Sequence, residues 1–145
     1  ANVRIEVIKG YGKYDSTNNR SMVLKISYGK HSFLLTGDIE AARERSVLQS
    51  NADIDVDILK IPHHGSKTSS VAEFLYEVSP KLGIISAGYK NRYNHPHPSV
   101  TERLKDQKIP YLLTATHGSI QIETDGETIE TRCFDGYKRR WMRCL

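Results

Sequence analysis

Apolar and polar residues alternate from Val3 to Ile8, the period-two pattern of a strand with one buried face. A polar stretch over 10–20, rich in Gly, Asp, Ser and Asn, reads as a loop. Two further strands are predicted over 22–28 and 32–36, joined by a turn at Gly29-Lys30. After Gly37-Asp38 the period becomes helical. Ile39, Ala42, Val47 and Leu48 form one stripe, with Glu40, Arg43, Glu44 and Arg45 mostly opposite. The same grammar repeats as a strand over 56–61, a loop over 62–70 and a short helix over 71–78. A third unit runs from a strand at 83–86 through a loop at 88–98 into a helix over 99–107, with Pro98, Ser99 and Glu102 marking its start. A strand over 111–114 follows, then a hairpin of 119–124 and 128–134 turned at Asp125-Gly126. Repeated strand-loop-helix units predict an α/β domain in which helices cover a sheet.

Composition adds few constraints. The 145 residues suit one domain or part of a larger one, and 38% hydrophobic content suffices for a core. No apolar run approaches the roughly 18 residues that span a bilayer, and Ala1-Asn2-Val3-Arg4-Ile5-Glu6 lacks the basic and apolar regions of a signal peptide. The net charge of +4 is not spread over the body. All of the surplus is Lys138, Arg139, Arg140 and Arg143, so 1–136 is expected as an electrostatically balanced body and 137–145 as a basic, solvated tail. That tail also carries Trp141, so a strand-binding segment is the second reading of it. Cys133 and Cys144 are the two cysteines. They form no CxxC motif, and the sequence leaves open a disulfide or two thiols.

Three loops begin at the carboxyl ends of predicted strands, where ligand sites of layered α/β folds gather. They are Thr36-Gly37-Asp38, Pro62-His63-His64-Gly65-Ser66, and Asn91-Arg92-Tyr93-Asn94-His95-Pro96-His97-Pro98. Five of the six histidines meet there if His117 joins from a fourth loop. Each part has an ordinary explanation. Asp38 precedes a helix and suits an N-cap; His97 between prolines suits a turn. Adjacent histidines repel when protonated, and a metal ion makes such crowding favourable. Together Asp38 offers an oxygen that bridges two cations, His64 or His63 an imidazole, and His95 a polarising group or proton donor at the rim. Those parts suit a two-metal hydrolase. The set is incomplete, because no His-x-His-x-Asp-His cluster occurs in residues 1–145.

With Asn19-Arg20-Ser21-Met22-Val23-Leu24, Leu34-Leu35-Thr36-Gly37-Asp38-Ile39-Glu40 and Leu59-Lys60-Ile61-Pro62-His63-His64-Gly65-Ser66 in this order, the chain resembles the metallo-β-lactamase superfamily. More closely it resembles the hydrolase domain of ComEC-type bacterial competence proteins, with Asn91 to Pro96 and Thr114, Gly118 and Ile120 as weaker matches. The resemblance implies the second half of an αββα sandwich, a mixed sheet with helices on one side, whose first half would carry the missing motif. It implies Asp38 and His64 as ligands of two divalent ions, zinc or manganese. It implies His63 beside the phosphate, those two histidine roles being exchangeable, and His95 stabilising the transition state or protonating the leaving oxygen. Gly65, Ser66 and Asn94 would line the substrate, although the family pattern has glycine where Asn94 stands. The implied activity is a phosphodiesterase or nuclease degrading the non-transported DNA strand. Its partners would be the first half of the domain and a membrane channel, and its place the outer face of a bacterial cell membrane, this segment itself being soluble. Two alternatives keep parts of this picture: an esterase of another phosphoester, such as a phosphorylcholine type, and a degenerate DNA-binding or assembly domain without catalysis. A half-domain with an uncovered core face is expected to dimerise or to be marginally stable.

Overall fold

The computed structural model describes residues 2–12, 16–136 and 138–144. Part of the predicted loop over 10–20, residues 13–15, and residues 137 and 145 of the predicted tail lie outside them. Six strands form one mixed sheet in sequence order: β1 (Arg4–Val7), β2 (Leu24–Tyr28), β3 (His31–Leu35), β4 (Ile58–Lys60), β5 (Leu82–Ile85) and β6 (Tyr111–Leu113). The first three pair antiparallel, and β3 to β6 run parallel. The parallel crossovers carry α1 (Ala41–Gln49), α2 (Ala72–Val78) and α3 (Pro98–Asp106). A one-turn helix, α4 (Thr114–His117), leads into a three-stranded antiparallel sheet of β7 (Ile120–Thr124), β8 (Ile129–Asp135) and β9 (Arg140–Arg143).

Alternation along the strands sorts side chains to two faces. Leu34, Leu59 and Ile85 face the helices and pack with Val47, Phe74, Leu75, Val78, Val100 and Leu104 in the main core. Phe33, Ile58, Leu82, Ile84 and Leu112 face the other way and pack against Ile120, Ile122, Ile129 and Cys133 of the small sheet. The helices thus lie on one side of a mixed sheet, consistent with half of an αββα sandwich. The second face is only partly covered. Ile5 and Val7 of β1 are in register with Ile26 and Leu24, which pair with Phe33 and Leu35. Ile5, Val7 and Leu35 are 62%, 55% and 41% exposed, so an apolar row runs uncovered across β1 to β3.

Three local expectations change. Arg43 and Glu44, placed on the polar face of α1, are buried, because α1 packs against both the 8–11 segment and α2. Arg43 donates to the Ile8 carbonyl at 3.3 Å, and Glu44 accepts from the Ser70 and Val71 backbone N–H groups. The third helix begins at Pro98, with the His97 side chain accepting from the Ser99 N–H at its cap. The segment read as a solvated tail contains β9, which pairs with β8 and is tied down by a Cys133–Cys144 disulfide. Closing a loop of this length stabilises by roughly 2 to 3 kcal/mol in the chain-entropy model. Reduction, or a Cys133→Ser/Cys144→Ser double substitution, is expected to lower the urea unfolding free energy by about that amount. Dithiothreitol should have no further effect on the double variant.

Candidate metal and phosphate site

All three loops singled out above leave the carboxyl edge of the parallel strands and meet there. The Asp38 loop is set by residues upstream of it. Ser21 Oγ accepts from the Asp38 N–H at 3.1 Å, and the Asn19 side-chain carbonyl accepts from the Glu40 N–H at 2.9 Å. Gly37 has φ +56, and a Cβ on it would stand 2.7 Å from Ser21 Cβ. Asp38 is therefore not the helix cap: Glu40 holds that position, and the Asp38 carboxylate faces the histidine loop.

That loop opens with a short 3-10 turn over Pro62–Gly65 in which His63 (φ 47, ψ 43) and His64 (φ 57, ψ 19) both adopt left-handed conformations. Such geometry is costly for residues with side chains and persists only where its surroundings enforce it. The His63 N–H donates to the Gly37 carbonyl at 3.1 Å, and the His97 N–H to the Gly65 carbonyl at 2.8 Å, so the three loops are stitched through backbone. Gly65 has φ +77, and a Cβ there would lie 2.7 Å from Pro96 Cβ. Gly65→Ala is expected to cost about 2 kcal/mol in a denaturant titration and to displace the His95 loop, seen as shifted His95 resonances in NMR spectra.

His64 Nδ1 lies 2.6 Å from the Ser86 carbonyl oxygen. A carbonyl only accepts, so Nδ1 carries a proton and Nε2 is the ring nitrogen turned toward Asp38. Nε2 stands 3.4 Å from Asp38 Oδ1, a carboxylate oxygen that also only accepts. Two such atoms repel unless a proton or cation joins them. A histidine whose second nitrogen is tied to a carbonyl is the usual arrangement of a metal ligand. The Ser86 carbonyl is itself held by its neighbour. The Ala87 N–H donates to Thr114 Oγ1 at 2.9 Å, and the Thr114 hydroxyl donates to the Ala87 carbonyl at 2.8 Å.

His63 lies 6.3 Å from His64 and 5.9 Å from His95 between ring centroids, and Tyr93 stacks on His95 at 5.7 Å. His63 Nδ1 is 3.7 Å from Glu40 Oε1, which also accepts from the Thr68 hydroxyl at 2.9 Å. The Nδ1 atoms of His63 and His95 are buried and have no hydrogen-bond partner. Burial, followed by the neighbouring His63, His64 and His97, lowers the His95 pKa below the ordinary histidine value. Burial likewise lowers that of Lys60 at the end of β4, against the opposing effect of Asp38. Asn91 fixes the third loop: its side chain accepts from the His95 N–H at 2.9 Å and donates to the His95 carbonyl at 2.6 Å.

Beside these groups an open cavity of about 680 Å³ is lined by His64, Ser86, Tyr93, His95, Thr114 and Gly118, among others. The structure thus brings together Asp38, His63, His64 and His95. Gly65, Ser66 and Asn94 do not line the cavity. Ser66 is buried with its Oγ 3.1 Å from Thr68 Oγ1, and Gly65 is buried against Pro96. His97 caps α3, and His117 folds back on its own turn, accepting from the Leu113 N–H at 3.1 Å and lining a neighbouring cavity. Among the described residues, no group of three or more His, Cys, Asp or Glu side chains is placed to hold a metal ion. Sequence reasoning missed Glu40, Ser86 and Asn91. The Asn19 to Ser21 motif carried a signal without a role, whereas Ser86 acts through a carbonyl and leaves no trace in side-chain identity.

No family model matches the chain. ComE operon protein 3 of Bacillus subtilis is 45% identical over 106 residues, 73% of this chain and 14% of that protein. Recombination protein 2 of Haemophilus influenzae is 40% identical over 113 residues, 78% of this chain and 14% of that protein. Competence protein ComA of Neisseria gonorrhoeae is 32% identical over 127 residues, 87% of this chain and 18% of that protein. The chain belongs to the ComEC-type competence protein family. It spans less than a fifth of the length of these ComEC-type relatives, between 14% and 18%. Asn94 has φ 54. Asparagine is among the few residues with a side chain that enter this region readily.

Proposed function

We propose that this segment is the second half of a metal-dependent phosphodiesterase or nuclease domain of a DNA-uptake protein. The observation that carries this reading is the approach of Asp38 Oδ1 and His64 Nε2 to 3.4 Å, with the His64 ring oriented by the Ser86 carbonyl. A carboxylate oxygen and an imidazole nitrogen suit zinc or manganese. They are two donors where each ion needs about three from protein, so they fit one side of a site. The other side belongs, in this proposal, to a first half encoded upstream of Ala1 that bears a His-x-His-x-Asp-His motif. Two ions held there would polarise the phosphoryl oxygens and make water nucleophilic at neutral pH.

The chain's own residues then act on the substrate. His63, held toward Glu40, contacts a phosphate oxygen, and His95 faces the leaving oxygen from the opposite rim. The apolar row of Ile5, Val7 and Leu35 is the surface that the first half covers, and in its absence a second copy of the chain is the expected substitute. Among the described residues no helix is long and apolar enough to cross a membrane. A place on the outer face of the cell membrane, joined to a channel, agrees with the Cys133–Cys144 disulfide.

The test is hydrolysis by the upstream-extended domain with manganese or zinc, comparing single-stranded DNA with a small phosphodiester and phosphorylcholine. Metal-dependent cleavage of DNA in preference to the small esters supports the reading. Preference for phosphorylcholine assigns the site to the other esterase class, and an upstream sequence without the motif assigns a non-catalytic role.

A further inference from the structure

The whole charge surplus of the chain lies in Lys138, Arg139, Arg140 and Arg143. The fold places the last two in β9, an edge strand whose four residues are all exposed. Pairing with β8 sets Trp141 opposite Phe134 and Arg143 opposite Arg132, so both pairs lie on one face of the small sheet. Two guanidinium groups directly across a ladder are unfavourable in the absence of an anion. Arg132 forms an ion pair with Glu130 at 3.0 Å, whereas Arg139 and Arg143 have no carboxylate partner among the described residues. Trp141 rests edge-on against Phe134 with ring centroids 5.5 Å apart, yet 45% of its surface is exposed.

The edge strand adjoins the site, with Met142 and Cys144 on the face opposite Trp141. Met142, Arg143 and Cys144 line a cavity of about 530 Å³ together with Thr116, His117 and Gly118. Gly118 also lines the cavity that holds His64 and His95. The exposed indole and Arg143 thus flank an edge strand that borders the second cavity, and that cavity shares Gly118 with the one lined by His64.

We propose that β9 and this second cavity bind a single-stranded nucleic acid, with Trp141 stacking on an unpaired base and Arg139 and Arg143 meeting phosphates. A flat ring beside unpaired cations suits a polyanion that carries bases. A duplex, with its bases already stacked, offers the indole nothing. The direction of the strand toward Asp38 rests on the phosphodiesterase reading; the binding does not.

Trp141 is the only tryptophan of the chain and so reports directly. The experiment titrates oligodeoxythymidylate of roughly 15 nucleotides, a length within the usual site sizes, into the chain in EDTA. Indole fluorescence and the anisotropy of a labelled oligonucleotide are both read. Binding is expected to quench Trp141. Arg139→Gln/Arg143→Gln, which alters only exposed side chains, should weaken affinity about tenfold and reduce the log-log salt slope by about 1.4, two phosphates at roughly 0.7 each. Trp141→Ala should weaken oligonucleotide binding about tenfold and leave binding of heparin, a polyanion without bases, unchanged. Absence of binding, binding without quenching, an unchanged salt slope in the double variant, or equal losses for heparin and oligonucleotide in Trp141→Ala would each overturn the proposal. Because no metal is present, this binding and hydrolysis can each fail with the other intact.

Discussion

Asp38→Ala is expected to slow phosphodiester hydrolysis by the completed domain roughly a thousandfold or more, on the scale of losing one preorganised electrostatic partner of the transition state. The carboxylate stands 3.4 Å from His64 Nε2, and it makes no hydrogen bond that caps α1. Its backbone, by contrast, is fixed by Ser21 and its loop by Gly37. Removing the side chain thus deletes a ligand and leaves the loop in place. The unfolding free energy should move by no more than about 0.5 kcal/mol, as for a partly exposed position without a packing role. Steady-state rates together with a urea titration check both halves. A comparable loss of rate and of stability would mean that Asp38 acts on the fold and not on the reaction.

Glu44→Ala is expected to cost about 4 kcal/mol of stability. Glu44 is fully buried in α1 and accepts at 2.5 Å from the Ser70 N–H and at 2.8 Å from the Val71 N–H, the residues that open α2. Alanine would leave two buried donors unsatisfied, at 1 to 3 kcal/mol each by usual magnitudes, and a cavity besides. The same carboxyl gives the fold a pH dependence. Burial, opposed by the two backbone bonds and by the charges of Arg103 and Arg45, pushes its pKa up to about 7 from 4.5. The folded chain therefore holds a proton that the unfolded chain releases above pH 4.5. The associated stability is complete below that pH and is lost as pH rises through 7, by roughly 3 kcal/mol. Thermal unfolding followed from pH 5 to 8 should show the wild type losing stability over this window. The alanine variant, lacking the group, should lose none of that share.

Much of this was readable in the residues, for identifiable reasons. The strand over 3–8 is legible from its alternation although Ile5 and Val7 are exposed, because the period of two marks a strand whether or not its apolar face is covered. The three loops were found because glycine, proline and histidine gather at strand ends. The polar face of α1 misled because amphipathic pattern reports one partner layer, whereas α1 meets both a loop and a helix, so Arg43 and Glu44 are enclosed. The turn of α4 left no periodicity, being a single turn held by Thr114 and closed at Gly118. The tail was read from its charge, which says nothing of a ladder formed through backbone and closed by a disulfide. At the site, identity named Asp38, His63, His64 and His95. Their orientation depends on a carbonyl at Ser86 and a side chain at Asn91 that no spacing predicts.

The most direct measurement is the metal content of the upstream-extended domain, purified and equilibrated with zinc or manganese, as wild type, Asp38→Ala and His64→Ala. Two ions per chain in the wild type, with loss of at least one in each variant, is the result predicted by a site shared between the two halves. Absence of bound metal in the wild type, or full metal content in both variants, would contradict it.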